Sequence, residues 1–277
     1  SIIENLKARC SVSQNMITTF NGVEFNYSMP ANCYHILAQD CSPELKFLVM
    51  MKRLGESADL TAISVRLASH EVDMYVSNGL IQLKINGVQT PTDVPYTSKS
   101  GLLISSEKEG LSLKAPEYGV EKLYYDRRKL EIRVAFWMVG KTCGICGKYD
   151  AEKKREYQMP SGYLAKDAVS FAQSWVISED TCTGACKLQR KFVKIEKPVA
   201  FNKKASKCFS IEPVLRCAEG CSATRTVPVS VGFHCVPSDS TLELEEEQVR
   251  LDQKSEDLVS RVDAHTACSC AQQLCSA

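Results

Sequence analysis

Between residues 10 and 140 apolar and polar side chains alternate in short runs. Thr61-Ala-Ile-Ser-Val-Arg-Leu67 and Leu80-Ile-Gln-Leu-Lys-Ile85 both carry the period of two expected of half-buried strands. Asn78-Gly79 and Asn86-Gly87 sit between such runs, where a tight hairpin needs positive φ. Further apolar runs follow at Leu102–Ile104, Leu111–Leu113, Leu123–Tyr125 and Leu130–Met138. Turn signals about every 8–12 residues predict a mainly β, antiparallel β-sandwich. The period changes once. Ala168, Phe171, Ala172 and Trp175 fall on one face at helical spacing, with Asp167 placed to cap, which predicts a short helix over 167–176. Trp175 reads as core packing.

Past Cys182 the pattern changes character. Lys187, Arg190, Lys191, Lys194, Lys197, Lys203, Lys204 and Lys207 face a single acid, Glu196, and the segment 187–207 reads as a basic linker. Residues 239–263 are the reverse, rich in Glu and Asp, and suit a solvated helix. Around them lie Cys208, Cys217, Cys221, Cys235, Cys268, Cys270 and Cys275, the signature of a small disulfide-rich module over 208–277 that its core alone would not hold. The expected domains are therefore 1–186, a linker at 187–207, and 208–277.

Composition narrows the class. Apolar residues make up 44% of the 277 and charged residues 24%, both ordinary for a globular protein. Lys plus Arg number 34 against 33 acids, so charge favours neither nucleic acid nor a membrane surface as partner. No apolar run reaches the roughly 18 residues that a span needs. The start, Ser1-Ile-Ile-Glu-Asn-Leu-Lys7, has neither a basic nor an apolar leader segment, so a mature form or a fragment of a longer precursor is expected.

Fourteen cysteines, irregularly spaced, fit a disulfide framework in an oxidising compartment. Cys143-Gly-Ile-Cys146 leaves three chemistries open. It could exchange disulfides, although no βαβ pattern surrounds it. It could hold zinc with Cys182 and Cys186, as Cys217, Cys221, Cys268 and Cys270 could among themselves, although an oxidising compartment argues against both. Or each thiol could staple a distant segment. His35, His70, His234 and His265 are scattered, with no nucleophile motif near them, so no enzyme is expected. Asn26-Tyr-Ser28 is an N-glycosylation sequon.

The order of motifs carries a resemblance. Thr19-Phe-Asn-Gly22, Tyr34 followed by Leu37-Ala-Gln-Asp-Cys41, Cys143-Gly-Ile-Cys-Gly-Lys-Tyr-Asp150 and Phe171-Ala-Gln-Ser-Trp175 resemble a von Willebrand factor type D domain over residues 10–182. With its cysteine-rich tail the whole chain resembles the C-terminal end of the vertebrate vitellogenins. That resemblance implies a secreted yolk glycoprotein with nutrient storage or precursor solubility as its role. Other yolk proteins or a receptor are the implied partners, and the oligomeric state is left open.

The resemblance also implies the pairs Cys10–Cys146, Cys41–Cys143 and Cys33–Cys182, each closing a loop of more than about 100 residues and contributing about 4–5 kcal/mol in the chain-entropy model. Cys186, Cys208, Cys217, Cys221, Cys235, Cys268, Cys270 and Cys275 are left in unknown order, with a faint likeness to a cystine-knot ring. Type D domains often bind calcium in the loop after C-G-x-C-G, and here Asn21, Asp150, Glu152 and Glu156 would be the ligands. Asn21 stands where the family has Asp, Lys148 where it has Asn, and Lys153, Lys154 and Arg155 add three cations. A degenerate calcium site, and no cofactor, is the expectation. Two alternative functions follow from the same residues: binding an anionic partner through 187–207, and thiol-mediated assembly through Cys143 and Cys146.

Overall fold

The computed structural model describes residues 9–55, 57–177, 188–195, 199–201, 204–218, 221–238 and 255–270. The chain divides into two compact units, one of Ser1–Glu156 with Trp175–Ile177 and one of Tyr157–Ser174 with Ser178–Ala277.

The first unit is an antiparallel β-sandwich. Its strands are β1 (Arg9–Ser13), β2 (Met16–Thr18), β3 (Glu24–Asn26), β4 (His35–Asp40), β5 (Phe47–Arg53), β6 (Thr61–Leu67), β7 (Glu71–Ser77), β8 (Leu80–Ile85), β9 (Val88–Thr90), β10 (Tyr96–Thr97), β11 (Leu103–Glu107), β12 (Gly110–Ala115), β13 (Val120–Tyr125), β14 (Lys129–Val134) and β15 (Thr142–Cys143). One sheet runs β10-β11-β12-β13-β14-β1-β2-β3 and the other β15-β4-β5-β6-β7-β8-β9. Most neighbours are consecutive hairpins. The Asn-Gly turns hold as expected: Asn78 and Asn86 take φ of 51° and 52°, and the glycines after them 74° and 78°.

Ile17, Leu113, Leu123 and Ile132 of one sheet and Val49, Ile63, Met74 and Leu83 of the other are buried. Each such side chain contributes about 1.5–3 kcal/mol relative to exposure. Tyr125 spans the sandwich, its hydroxyl donating to the Thr61 carbonyl at 2.9 Å. β7 alternates buried and open positions. The central β6 does not: even Ser64 is buried, between Met50 of β5 and Asp73 of β7 in the register.

The run 130–138 ends early as a strand. β14 stops at Val134, where its partner β13 begins, and Phe136–Met138 turns into a 3₁₀ helix that leaves Phe136 76% exposed. A strand without a partner has unpaired backbone groups, and the tighter turn satisfies some of them.

The second unit holds the helix α1 (Ala168–Ser174) and strands β16 (Leu188–Lys191), β17 (Val199–Phe201), β18 (Lys204–Ser210), β19 (Val214–Cys217), β20 (Cys221–Pro237) and β21 (Leu258–Cys270). β16 pairs with β19, and the other sheet runs β17-β18-β20-β21. Asp167 caps the helix: its Oδ1 accepts from the Ser170 backbone N–H at 2.8 Å. Cys208, Val214, Val229, Val231, Phe233 and Ala264 form a core, with Val169 of the helix packed against it.

Three expectations change here. The described parts of 187–207 are largely strands rather than a linker, because Leu188–Lys191 pairs with Val214–Cys217 and Ser206–Ser210 with Phe233–Pro237. Residues 258–263 are strand rather than helix, paired in register along β20; residues 239–254 lie outside the described part. Finally, α1, expected inside the first domain, belongs to the second unit.

Candidate functional site

The motif-bearing residues of the first unit converge on one hub. The β2–β3 turn, Thr19-Phe-Asn-Gly22, meets the segment 142–156. Gly22 takes φ of +79°, which lets the turn close, and the Phe20 N–H donates to the Cys146 carbonyl at 3.0 Å. Phe20 and Tyr149 pack ring against ring at 5.6 Å.

Cys143-Gly-Ile-Cys-Gly147 forms a tight turn against β4. The Ile145 and Cys146 N–H groups donate to the Ile36 and Leu37 carbonyls at 3.0 and 2.8 Å. Both glycines are dictated by close approach. A Cβ on Gly144 would lie 2.5 Å from the Leu37 carbonyl oxygen, and one on Gly147 2.6 Å from a Glu156 carboxylate oxygen; both have positive φ. Thr142 closes the turn from inside: its hydroxyl donates to the Gly147 carbonyl at 3.0 Å and accepts the Tyr149 N–H at 2.9 Å. Thr142 opens the motif in the sequence, and the fold gives its hydroxyl this role.

The two cysteines of the motif serve different partners. Cys146 is bonded to Cys10 across a Cα separation of 5.6 Å, and Cys143 to Cys41 across 5.9 Å. Cys10 and Cys146 are fully buried, whereas Cys41 is exposed and Cys143 half-buried. No helix N-terminus follows the motif to lower a thiol pKa. Cys33 is also disulfide-bonded; Cys182, its expected partner, lies outside the described residues, as do Cys186 and Cys275.

In the second unit Cys208 is bonded to Cys235 and Cys217 to Cys268. Cys221 is disulfide-bonded and lies opposite Cys270 in the strand register. These bridges occupy Cys143, Cys146, Cys217, Cys221 and Cys268, so neither zinc set retains its thiolates. Among the described residues no cysteine is free.

The calcium candidates are gathered, but around an amide. Asn21 Nδ2 lies 2.9 Å from the Lys148 carbonyl, 3.1 Å from Asp150 Oδ1, 3.4 Å from the Glu152 carbonyl and 2.9 Å from Glu156 Oε2. The Glu152 carboxylate turns away and accepts the Lys154 N–H at 2.9 Å. Burial pushes the Glu156 carboxyl above the usual carboxylate range, with Asp150 adding to the shift. Among the described residues no three His, Cys, Asp or Glu side chains are placed to share a metal ion.

Asn26 is exposed on β3, the edge strand of its sheet, while Tyr27 beside it is buried. Of the basic segment, Arg190 is half-buried within electrostatic reach of Glu212, and Lys194 lies over the Phe209 ring at 5.9 Å. One cluster has the composition of a catalytic triad. Asp257 Oδ2 lies 3.0 Å from His234 Nδ1, and the Ser255 hydroxyl donates to Asp257 Oδ1 at 2.8 Å. Ser255 approaches the same Nδ1, at 3.4 Å, so the imidazole does not stand between acid and hydroxyl as a general base must.

Residues 10–163 match the von Willebrand factor type D domain. The vitellogenin of Takifugu pardalis is 38% identical over 230 residues, which cover 82% of this chain and the whole of that sequence. The chain belongs to the vitellogenin family. Vitellogenin-2 of Gallus gallus is 58% identical and vitellogenin-A2 of Xenopus laevis 46% identical, each over the full chain. The chain spans about 15% of the length of those two relatives. Vitellogenins are yolk precursor proteins, and the disulfide hub described above lies within the type D match.

Proposed function

We propose that this chain is the C-terminal portion of a yolk precursor, secreted and deposited in egg yolk, where it serves as a non-enzymatic store of amino acids and helps keep the precursor soluble. The observation that carries this reading is the 58% identity to a vitellogenin across the entire chain, on a fold built around disulfides. An N-glycan on Asn26 belongs to the proposal: the side chain is exposed on β3, the last strand in the order of its sheet. Other yolk proteins and a receptor are the expected partners. Among the described residues no helix is long and apolar enough to cross a membrane, which agrees with a secreted chain.

The two alternatives have less support. An anionic partner would need a basic arm, yet the described residues of 187–207 lie largely in strands and Arg190 already lies within electrostatic reach of Glu212. Thiol-mediated assembly would need a free or paired C-x-x-C, yet Cys143 and Cys146 are each bonded to a distant cysteine.

Quantitative mass spectrometry of yolk through embryonic development tests the storage reading. Peptides from the whole chain, with Asn26 glycosylated, should be abundant at laying and decline as the embryo grows. A chain absent from yolk, or one that persists undiminished to hatching, would overturn it.

A further inference from the structure

The loop after the C-G-I-C-G turn has the backbone of a cation site and a side chain where the cation would be. Ca²⁺ takes about six to eight oxygen ligands at about 2.3–2.6 Å. Here two carbonyls and two carboxylate oxygens point at a single atom, and that atom is the amide nitrogen of Asn21, at 2.9–3.4 Å. An amide nitrogen is a donor with no free lone pair for a metal. The other end of the same amide is also engaged. Asn21 Oδ1 accepts the N–H of Ala151 at 2.9 Å and that of Asp150 at 3.4 Å, which fixes the orientation of the group. A cation entering this position would displace the nitrogen and break both sets of bonds. Lys153, Lys154 and Arg155, all exposed, follow directly and oppose it further.

We infer that the carboxamide of Asn21 takes the place of a divalent cation in the 148–156 loop, so that this type D unit is held together without calcium. One exchange of NH₂ for O separates the two states. With aspartate at position 21 the donor disappears, and three carboxylates and two carbonyls converge on the vacated point. The loop then needs a cation to offset the repulsion. Residue 21 is thus the switch between a self-closed loop and a calcium-dependent one.

The test uses the full chain with its disulfides intact, titrated with calcium chloride by calorimetry and melted in EDTA and in millimolar calcium. Wild type should take up no stoichiometric calcium and melt at the same temperature in both. Asn21→Asp should melt lower than wild type in EDTA, recover in calcium, and bind one ion with an affinity of about 0.1–1 mM, the range of extracellular modules. Stoichiometric calcium uptake by wild type, with a melting temperature that EDTA lowers, overturns the inference. So does a folded Asn21→Asp that ignores calcium.

A second arm covers the case in which that variant does not fold. Asn21→Ser removes the amide without adding charge, and trypsin should then cut after Lys153, Lys154 or Arg155 at least several-fold faster, equally in calcium and EDTA. An unchanged rate for Asn21→Ser, or a wild-type rate that calcium slows, would show that Asn21 does not close the loop in place of a cation.

Discussion

In the first unit most hydrogen-bonded strands are neighbours in sequence, and the long-range closure falls to the β1–β14 and β4–β15 pairings and to the bridges: Cys10–Cys146 spans 136 residues and Cys41–Cys143 spans 102. In the second unit Cys208–Cys235 spans 27 and joins residues already opposite one another in the β18–β20 ladder, and Cys217–Cys268 spans 51. A bridge acts chiefly on the unfolded chain, by the entropy of the loop it closes. The first unit's bridges therefore supply order that its hairpins cannot, while Cys208–Cys235 reinforces contacts already made locally. The lesson is that equal bridges are unequal in effect, and their sequence separation says which unit depends on them more.

The largest effect expected from this contrast is on stability. Replacing Cys10 and Cys146 together by serine should cost about 5 kcal/mol, and replacing Cys208 and Cys235 about 3.5 kcal/mol. Both tryptophans, Trp137 and Trp175, lie in the first unit, so their fluorescence in urea follows that unit within the whole chain. If the Cys208/Cys235 variant loses as much stability as the Cys10/Cys146 variant, measured by calorimetry, the comparison fails.

Acid should come next. His35 is fully buried in the first unit; its Nδ1 lies 3.1 Å from the Cys33 carbonyl and its Nε2 2.8 Å from the Tyr27 hydroxyl. A neutral ring satisfies both, donating from Nδ1 to the carbonyl and accepting the tyrosine O–H at Nε2. Burial lowers its pKa to about 4, while the unfolded chain keeps the ordinary value near 6.5. Between those values the unfolded state binds the extra proton. Stability is thus fully present above about pH 6.5 and falls as pH drops toward 4, by about 3 kcal/mol over the window. His265 of the second unit is shifted the same way, by burial and by Arg216. His35→Gln should therefore flatten the acid dependence seen by tryptophan fluorescence and leave the second unit's dependence in place. A wild-type fluorescence midpoint unchanged between pH 7.5 and 4.5 would refute the assignment.

The smallest effect sharpens the picture of the hub. Ala151 sits at φ of +62°, a region that costs an L-residue and suits glycine. Ala151→Gly should raise the first unit's stability by about 0.5–1 kcal/mol. A loss of stability would mean that the loop's hydrogen bonds do not hold that conformation.

Much of the first unit was legible because its information is local. Alternation marks β6 and β8, and Asn-Gly marks the turns on either side of β8, since one face of each hairpin must meet the core. The hub was legible in its members but not in its wiring. Thr-Phe-Asn-Gly and Cys-Gly-Ile-Cys-Gly named the residues, yet Asn21 read as a weak calcium ligand when its amide nitrogen donates to the oxygens around it. A lost carboxylate and a gained amide look alike in a string of letters, and only the positions of the surrounding oxygens distinguish them.

The second unit was the least legible. Charge runs at 187–207 and 239–263 suggested exposed segments, because eight cations in one stretch rarely line a core. Long antiparallel strands accept such residues on their open face, and the alternation in β20 and β21 is visible only once the partners are known. Strand pairing over a gap of this length leaves no periodic mark.

The sequence by itself determined the sheet-forming runs, the tight turns, the capped helix and the family, because each is written in short-range spacing or in identity to relatives. The tertiary structure alone decided that α1 belongs to the second unit, that Ala62 and Ser64 of β6 are buried along with its alternate positions, and that the Asn21 amide stands among the oxygens of the loop. Those outcomes depend on which distant atoms come within a few ångströms, and the order of residues along a chain does not state such distances.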